Sequence, residues 1–376
     1  MTEQMTHKKK GRIRYLAVAL IALALLLAVA LLIRGWTYKT YTILTTNTQE
    51  DTLSFLYDRV GNHILKYGVD SATLMDQSGD TLWTITYRMD SPAIDVQGNT
   101  VAIYDKNGTD VCICDEDGQI GSLSTSRPIL KARVSGQGYV AALMEEGDKT
   151  WIQYYDQTGS LIATLKATMD SLGYPLDLAL SEDGVVMAVS YLYYEGGVPQ
   201  DRISFYNFGT AGKNQTDNLV SSYDYSDILI PQLLYLEDGR WAALREDGIS
   251  FFKGSQIPEK AKEITLESEI ASSFTDSSHV GLVVEDTEKE SSFLLLVYSK
   301  NGREILRKET DFPYQSIEIN GSRILLSNRT SLCVYSLAGV EKYRGDMEDP
   351  ISQLFLLGKK RYVLITEEGF HLMKLG

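Results

Sequence analysis

The sequence predicts an all-β protein, an eight-bladed β-propeller with seven blades as the alternative, preceded by one N-terminal transmembrane helix. A polar turn that ends on glycine recurs eight times, with 37 to 50 residues between successive glycines, and short apolar segments separate the turns. Repeats of about 40 to 45 residues with four strands each are typical of propeller blades. Because one small sheet cannot cover its own faces, such units are stable only when they stack.

The recurring turn is clearest at residues 154–159, where aromatic residues lead into a short polar segment that ends on Gly159. Glycine suits this position because it adopts positive φ without a Cβ clash. Two further series of turns run in phase with the first, so each unit is predicted to be a four-stranded antiparallel meander. In the second unit the predicted strands are 93–96, 101–104, 111–114 and 120–123.

The N-terminal region predicts a membrane anchor. Residues 15–33 form an unbroken run of 19 apolar residues, which as a helix spans most of a hydrocarbon layer about 30 Å thick. Five basic residues precede the run and only Arg34 and Lys39 follow it closely, so the N-terminus is expected in the cytoplasm. We interpret 1–14 as a basic cytoplasmic tail, 15–33 as an uncleaved signal anchor in the cell membrane, and 39–376 as an extracytoplasmic propeller.

The last unit is incomplete, because it ends at its turn glycine and lacks an outer strand. Residues 40–46 precede the first inner strand and have no partner of their own. We expect 40–46 to close the last blade, since this pairing removes an open sheet edge.

Composition excludes some classes of function. The chain carries a net charge of −14 and its first 14 residues carry +4, which leaves −18 for the remainder. An acidic domain is not expected to bind nucleic acid, whose phosphates require a basic surface. Cys112, Cys114 and Cys333 are interpreted as buried free thiols, and the four histidines lack metal-type spacing. No catalytic motif is found, and neither a metal nor a cofactor is expected.

One repeat has a sharper motif. Residues 76–83 place a glycine three residues after Asp76 and Trp83 four residues after that glycine. This segment resembles the tryptophan-docking repeat of quinoprotein propellers, which implies that the tryptophan packs between neighbouring blades. The layout of the whole chain also resembles an uncharacterised Gram-positive bacterial family, a domain of unknown function with an N-terminal anchor and an exterior propeller of WD40-like or quinoprotein-like type.

The best candidates for recognition are aromatic and cluster around the fourth unit, whose second hairpin, 191–201, is predicted to be long. Tyrosine offers a large rigid contact surface and a hydroxyl, and it is enriched at binding hot spots. An alternative is that half of these residues simply pack between blades. The candidates are Tyr174, Tyr191, Tyr193, Tyr194, Tyr223 and Tyr225.

Two functions remain open at this stage. The first is a non-catalytic scaffold, anchored by a single membrane pass, that binds a protein or wall glycan at the cell envelope. The alternative is a carbohydrate-active hydrolase or lyase that uses carboxylates in the central channel, which an axial cluster of two or three carboxylates would favour. A sensory domain is less favoured, since about fourteen cytoplasmic residues leave no room for an output domain.

Overall fold

The computed structural model describes residues 35–48, 54–147, 149–169, 171–285 and 292–376. These residues form eight antiparallel sheets of four strands each, together with a short 3-10 helix at Thr216–Asn218. In seven sheets the four strands follow one another along the chain. The eighth sheet combines the three C-terminal strands with the first strand of the chain.

The first four blades are numbered in chain order, from inner to outer strand. Blade 1 contains β2 (Leu56–Val60), β3 (His63–Tyr67), β4 (Ser71–Met75) and β5 (Thr81–Thr86). Blade 2 contains β6 (Pro92–Gln97), β7 (Thr100–Asp105), β8 (Asp110–Asp115) and β9 (Gly118–Ser124). Blade 3 contains β10 (Ile129–Val134), β11 (Val140–Glu146), β12 (Lys149–Tyr155) and β13 (Leu161–Ala167). Blade 4 contains β14 (Tyr174–Leu180), β15 (Val186–Glu195), β16 (Val198–Asn207) and β17 (Leu219–Ser226).

The remaining blades follow the same order. Blade 5 contains β18 (Gln232–Leu236), β19 (Arg240–Arg245), β20 (Gly248–Lys253) and β21 (Glu259–Thr265). Blade 6 contains β22 (Ile270–Thr275), β23 (His279–Glu285), β24 (Phe293–Ser299) and β25 (Glu304–Thr310). Blade 7 contains β26 (Ser316–Asn320), β27 (Arg323–Ser327), β28 (Ser331–Ser336) and β29 (Glu341–Asp346). Blade 8 contains β30 (Gln353–Leu356), β31 (Arg361–Ile365), β32 (Gly369–Leu375) and β1 (Tyr41–Thr48).

The hydrophobic core is divided among the seams between blades. Eight clusters of buried apolar residues are found in the described part of the chain, and each is shared by two neighbouring blades. One of them joins blade 8 to blade 1 through Val363 and Phe370 on one side and Ile64 and Met75 on the other. The sheets therefore form a closed ring, which confirms the predicted propeller and decides for eight blades over seven.

The ring is closed by β1, which forms the outer strand of blade 8. It pairs antiparallel with β32, from Tyr41 opposite Leu375 to Thr48 opposite Gly369. The segment 40–46, to which the sequence assigns this role, overlaps β1, and the pairing continues to Thr48. Closure in this way hydrogen-bonds a strand that would otherwise be an open edge.

A β-bulge interrupts the pairing of the third and fourth strands in each of the eight described blades. The bulge adds one unpaired residue to the fourth strand and increases the local twist. In seven blades this extra residue is apolar, whereas blade 7 has a lysine. The bulged residues, in the order of blades 1 to 8, are Leu82, Ile120, Ile162, Val220, Ala261, Ile305, Lys342 and Leu44.

The turn before each bulge has the predicted chemistry where its aspartate and glycine are both present. At Gly159 φ is +84°, and the Asp156 carboxylate accepts the backbone N–H groups of Thr158 and Ser160, both at 2.9 Å. Trp83 packs into the seam between blades 1 and 2, and its indole N–H donates to the carbonyl oxygen of Asp115 at 3.0 Å. Trp83 thus packs between neighbouring blades, as the resemblance to quinoprotein propellers implied.

Successive connections of a meander lie at opposite ends of its strands, so the ring has two faces. One carries the turns between first and second and between third and fourth strands. We call it the entry face because residues 35–40 join the ring there, with the Tyr38 N–H donating to Lys342 O at 2.7 Å and the Lys39 N–H to Gly376 O at 3.1 Å. The other, the loop face, carries the loops between second and third strands and the connections between blades.

The predicted cytoplasmic tail 1–14 and signal anchor 15–33 lie outside the described residues. Within the ranges that are described, no helix is both long and apolar enough to cross a membrane.

Candidate functional site

The longest hairpin of the described chain projects from blade 4 on the loop face. Its strands, β15 and β16, have ten residues each, and their pairing runs without interruption from Val186 opposite Asn207 to Glu195 opposite Val198. Gly196 and Gly197 form the turn, with φ of +61° and +85°. The predicted long second hairpin at 191–201 is confirmed, and these residues extend the sheet as an ordered ribbon. An ordered ribbon holds its surface side chains in fixed positions, as recognition requires.

Two of the candidate tyrosines belong to the core. Tyr191 is fully buried in the seam between blades 3 and 4, and its hydroxyl lies 3.1 Å from the hydroxyl of Tyr206. Tyr225 is buried in the seam between blades 4 and 5, with the ammonium group of Lys260 4.3 Å from its ring centre. Neither ring is accessible to a partner in this structure, which corrects their assignment to a binding surface.

Two others lie on the hairpin itself. Tyr193 is partly buried, and its hydroxyl donates to the Asp224 carboxylate at 3.2 Å while the guanidinium of Arg202 lies 4.8 Å from its ring centre. Arg202 is also paired with Asp224 at 2.6 Å. Tyr194 is 59% exposed. Because adjacent residues of a strand point to opposite faces, the hairpin presents one aromatic ring on each side.

The last two candidates flank this region. Tyr174 is half-buried at the base of the hairpin, opposite Leu192 of β15. Tyr223 packs against the rings of Phe205 and Phe252, and its hydroxyl donates to Pro258 O at 3.1 Å, so it joins blade 4 to blade 5. The six tyrosines thus do not form one patch. Those that remain available for recognition are Tyr174, Tyr193 and Tyr194.

The inner strands surround a central channel, since one cavity of about 500 Å³ is lined by residues of blades 1, 2, 5, 6 and 7. Three carboxylates occupy equivalent positions on these strands, Asp58, Asp95 and Glu318, each two residues before the end of the strand. Two of them bind the next inner strand: Asp95 accepts the backbone N–H of Val134 at 2.7 Å, and Glu318 accepts that of Leu356 at 2.9 Å. Asp95 and Glu318 therefore connect neighbouring blades.

A cluster of four charged side chains joins the inner strands of blades 2, 3 and 4, and three of them line a cavity near the loop face. The Arg133 guanidinium donates to Asp95 at 2.8 Å and to both oxygens of Asp177 at 2.9 and 3.1 Å. The Lys131 ammonium lies 2.8 Å from Asp177, whose side chain is fully buried. Burial opposes the charged form of Arg133, but the two carboxylates outweigh it and raise its pKa.

This cluster borders a cavity of about 560 Å³ that opens near the loop face. Gln232, Ser273 and Glu269 contribute further polar groups to its wall. The side chain of Lys131 is 34% exposed, so its ammonium group is accessible from the cavity. A pocket of this kind suits a polar ligand that offers both hydrogen-bond donors and acceptors, such as a sugar.

Glu318 has the most unusual environment of the channel carboxylates. Burial raises its pKa to about 7, although Arg59 pairs with it at 3.2 Å, and the nearby Asp58 charge contributes to the shift. Limited hydration of Asp58 at the channel wall raises the pKa of that group as well. A carboxyl group that titrates near neutral pH can act as a general acid or base.

Sequence reasoning missed the channel residues. The available signal was a single carboxylate inside an otherwise apolar inner strand, as in Ile317-Glu318-Ile319. In the described ranges, no group of three or more histidine, cysteine, aspartate or glutamate residues could hold a metal ion. Cys114 and Cys333 are buried and Cys112 is half-buried, and burial raises the pKa of Cys114 to about 12.

The fold and channel define an eight-bladed β-propeller protein. The chain belongs to a family of unknown function, DUF5711, whose model matches residues 34–375. The resemblance to an uncharacterised family is thereby confirmed, while the membrane anchor stays a prediction. No curated protein matches the sequence.

Solved structures share the propeller architecture at low sequence identity. AztD of Citrobacter koseri is 11% identical with a TM-score of 0.51, and the match covers 79% of this chain and 87% of AztD. The apo form of AztD from the same organism gives a TM-score of 0.50 at 11% identity, with coverage of 79% and 87%. The WD40 domain of Pan2 from Neurospora crassa is 8% identical with a TM-score of 0.47, covering 89% and 95%. These likenesses concern the fold alone.

Proposed function

We propose that this protein is a propeller tethered to the cell membrane by a single helix, and that it acts as a non-catalytic binding scaffold for an envelope protein or wall glycan. The tether is residues 15–33, with the basic tail 1–14 in the cytoplasm and the ring on the outer side. The loop face is the binding face.

The observation that carries this proposal is the position of the two faces. Residues 35–40 join the ring on the entry face, where the Tyr38 N–H donates to Lys342 O. The blade 4 hairpin and the cavity beside Lys131 lie at the opposite face. A tether that leaves from the entry face therefore turns the hairpin and the channel mouth away from the membrane, towards the envelope.

The loop face offers both kinds of group that glycan recognition uses. Tyr194 is exposed and Tyr193 presents its ring at the hairpin, which suits stacking on the apolar face of a sugar ring. The channel mouth supplies the charged and amide groups of Lys131, Glu269 and Gln232. These aromatic and polar groups lie on the same face.

The test uses the full chain in detergent micelles and purified wall glycan as the probe. We expect the variant Tyr194→Ser to sediment with the glycan several-fold less than the parent chain, at unchanged melting temperature, because Tyr194 is 59% exposed. Ile257→Ser is the matched control, because Ile257 is also exposed, at 51%, but lies at the entry face. Equal sedimentation of all three chains would refute glycan binding by the hairpin. Binding to an envelope protein would then be tested by cross-linking from position 194.

The carbohydrate-active enzyme remains a second candidate because of one observation, the pKa of Glu318 near 7 with Asp58 close to it. A glycosidase pairs a protonated carboxylic acid with an ionised carboxylate in one cleft. If the channel is catalytic, the full chain releases reducing sugar from wall glycan and Glu318→Gln abolishes the release. Intact glycan after prolonged incubation would favour the scaffold.

A further inference from the structure

A basic pocket lies on the entry face, at the seam between blades 7 and 8. It has a volume of about 580 Å³ and is built from turns of both blades and from residues 36 and 38. Four of the residues that line it are cationic and none of those described is acidic, although the whole chain carries −14. The cations are Arg323, Lys342, Lys359 and Lys360.

Lys342 shows that the basic character is specific to this seam. It is the bulged residue of blade 7, at a position where the seven other blades have an apolar residue. Its side chain is almost fully buried, and its ammonium donates to Trp36 O at 2.7 Å. Burial and the neighbouring Arg323 lower the pKa of Lys342. The other seven blades have an apolar side chain at this position, exposed in most of them, whereas blade 7 has a buried lysine close to Arg323. Two neighbouring positive charges favour an anion in the pocket.

Arg323 gives an independent indication of a ligand. Its Nε–H group is buried and has no acceptor within the described ranges, and its Nη1 donates to Ser322 O at 3.2 Å. Buried guanidinium donors are normally satisfied. The planar fork of Arg suits the oxygens of a phosphate group, and Lys supplies further charge.

The pocket also has the aromatic residues of a membrane interface. Trp36 is 67% exposed, and Tyr38 lies with its ring centre 4.9 Å from the Lys360 ammonium. Tryptophan and tyrosine concentrate at the level of the lipid head groups, next to basic residues. Trp36 follows the apolar run 15–33 by only three residues, so a helix formed by that run would place the pocket at this level.

We infer that the pocket between blades 7 and 8 binds the phosphate-bearing head group of an anionic phospholipid in the outer leaflet. This inference rests on the proposed membrane tether. The head group orients the ring, with the entry face against the bilayer and the loop face directed outward. The cations attract an anionic lipid and disfavour a zwitterionic one, whose ammonium they repel.

The experiment measures lipid binding to the full chain in nonionic detergent by native mass spectrometry. Phosphatidylglycerol, phosphatidylcholine and inorganic phosphate are the three probes. We expect phosphatidylglycerol to bind and the other two to bind at least tenfold more weakly. Lys342→Leu restores the apolar residue found in the other blades, so the fold should be retained. Each basic residue near the membrane strengthens binding of an anionic lipid about fivefold. We therefore expect Lys342→Leu to weaken phosphatidylglycerol binding about fivefold. The double variant Lys359→Gln with Lys360→Gln removes two charges and should weaken it about 25-fold.

The matched control is Lys213→Gln with Lys253→Gln, which removes the same charge from exposed positions on other blades. This control should bind phosphatidylglycerol within about twofold of the parent chain. Equal binding by all variants would overturn the site, and so would equal binding of phosphatidylcholine. If inorganic phosphate binds as strongly as phosphatidylglycerol, the ligand of the pocket is free phosphate and the lipid inference is wrong.

Cell fractionation separates this inference from the tether on which it rests. A chain that leaves the membrane fraction refutes the tether. A chain that stays in the membrane fraction while its variants all bind phosphatidylglycerol equally refutes the lipid site alone.

Discussion

Two aspartates of blade 4 that form ion pairs, Asp177 on the inner strand and Asp224 on the outer strand, lie in very different environments. The buried side chain of Asp177 accepts the backbone N–H of Leu233 at 2.8 Å in addition to its two cationic partners. The side chain of Asp224 is 58% exposed and has Arg202 as an ion-pair partner. The two aspartates therefore allow a buried and an exposed ion pair to be compared within one protein.

We expect Asp177→Ala to lower the free energy of unfolding by about 3 kcal/mol, because it removes a buried partner of two half-buried cations and leaves a buried backbone N–H without its acceptor. Asp224→Ala should cost at most about 1 kcal/mol, since solvent screens the exposed pair. Urea unfolding of the full chain in detergent, followed by tryptophan fluorescence, measures both. Similar losses for the two variants would contradict the buried network.

Glu318 predicts a pH dependence of stability. Its pKa is about 7 in the folded chain against 4.5 for an ordinary glutamate, so between these pH values the folded state holds more protons than the unfolded state. The free energy of unfolding should therefore fall as pH rises from 5 to 8, by up to about 3 kcal/mol from this group. Glu318→Gln should reduce the dependence by this amount, leaving the part due to Asp201, whose pKa burial also raises to about 7, whereas Glu259→Gln at an exposed position should not change it. Melting temperatures across this pH range provide the measurement.

At the scale of strands and blades, the sequence predicts the positions of the turns and strands. It does not predict which side chains are buried and which are exposed. The second blade illustrates the first point, because its strands Pro92–Gln97 and Thr100–Asp105 contain the predicted segments with one added residue at each end. Tyr191 illustrates the second. Inner and second strands are buried on both faces, so alternation gives no signal that separates a buried tyrosine from an exposed one.

The inner-strand carboxylates escaped prediction for a related reason. A lone Glu318 between two isoleucines does not show that it faces a channel, because that depends on how the blades are arranged around the axis. The role of Lys342 could not be predicted either, because the lysine is unusual only in comparison with the apolar residues at the bulges of the other seven blades. These residues become informative only once the register of all eight blades is known.

The closing strand gives a prediction for this scale. Thr42 lies opposite Lys374 in the β1–β32 pair. Thr42→Cys with Lys374→Cys should form a disulfide in the full chain, visible as a shift in gel mobility without reductant. A disulfide that encloses over 300 residues should stabilise the ring by up to about 5 kcal/mol. Thr42→Cys with Lys308→Cys, in blade 6, should not cross-link, and cross-linking of that pair would place β1 elsewhere.

At the scale of the whole molecule, the two faces of the ring differ in what they can contact. The entry face carries the basic pocket and the point where residues 35–40 join the ring, while the loop face carries the hairpin and the channel mouth. With the proposed tether, the entry face is directed towards the membrane and the loop face away from it. A propeller held close to a bilayer by one face is sterically shielded there and open on the other.

This orientation is testable by labelling in membranes. Val198, at 43% exposure, lies on the hairpin, and Ile257, at 51% exposure, lies at the entry face. Val198→Cys should react several-fold faster than Ile257→Cys with a bulky polar maleimide, and detergent should remove the difference. The parent chain measures the background of Cys112. Equal rates before detergent is added would show that the entry face is not shielded.

The strand that completes blade 8 also constrains how the chain can be made. β1 is synthesised first, and its partner β32 is separated from it by more than 300 residues. At translation rates of about 5 to 20 residues per second, β1 waits roughly 15 to 65 seconds before it can pair. Its sequence, YTILTTNT, contains no charged residue and no proline, so these two common means of preventing edge-to-edge association are absent from the strand during that wait. A ribosome that stops before the last codons would leave an open ring, so truncated products should be recognisable by their sensitivity to proteases.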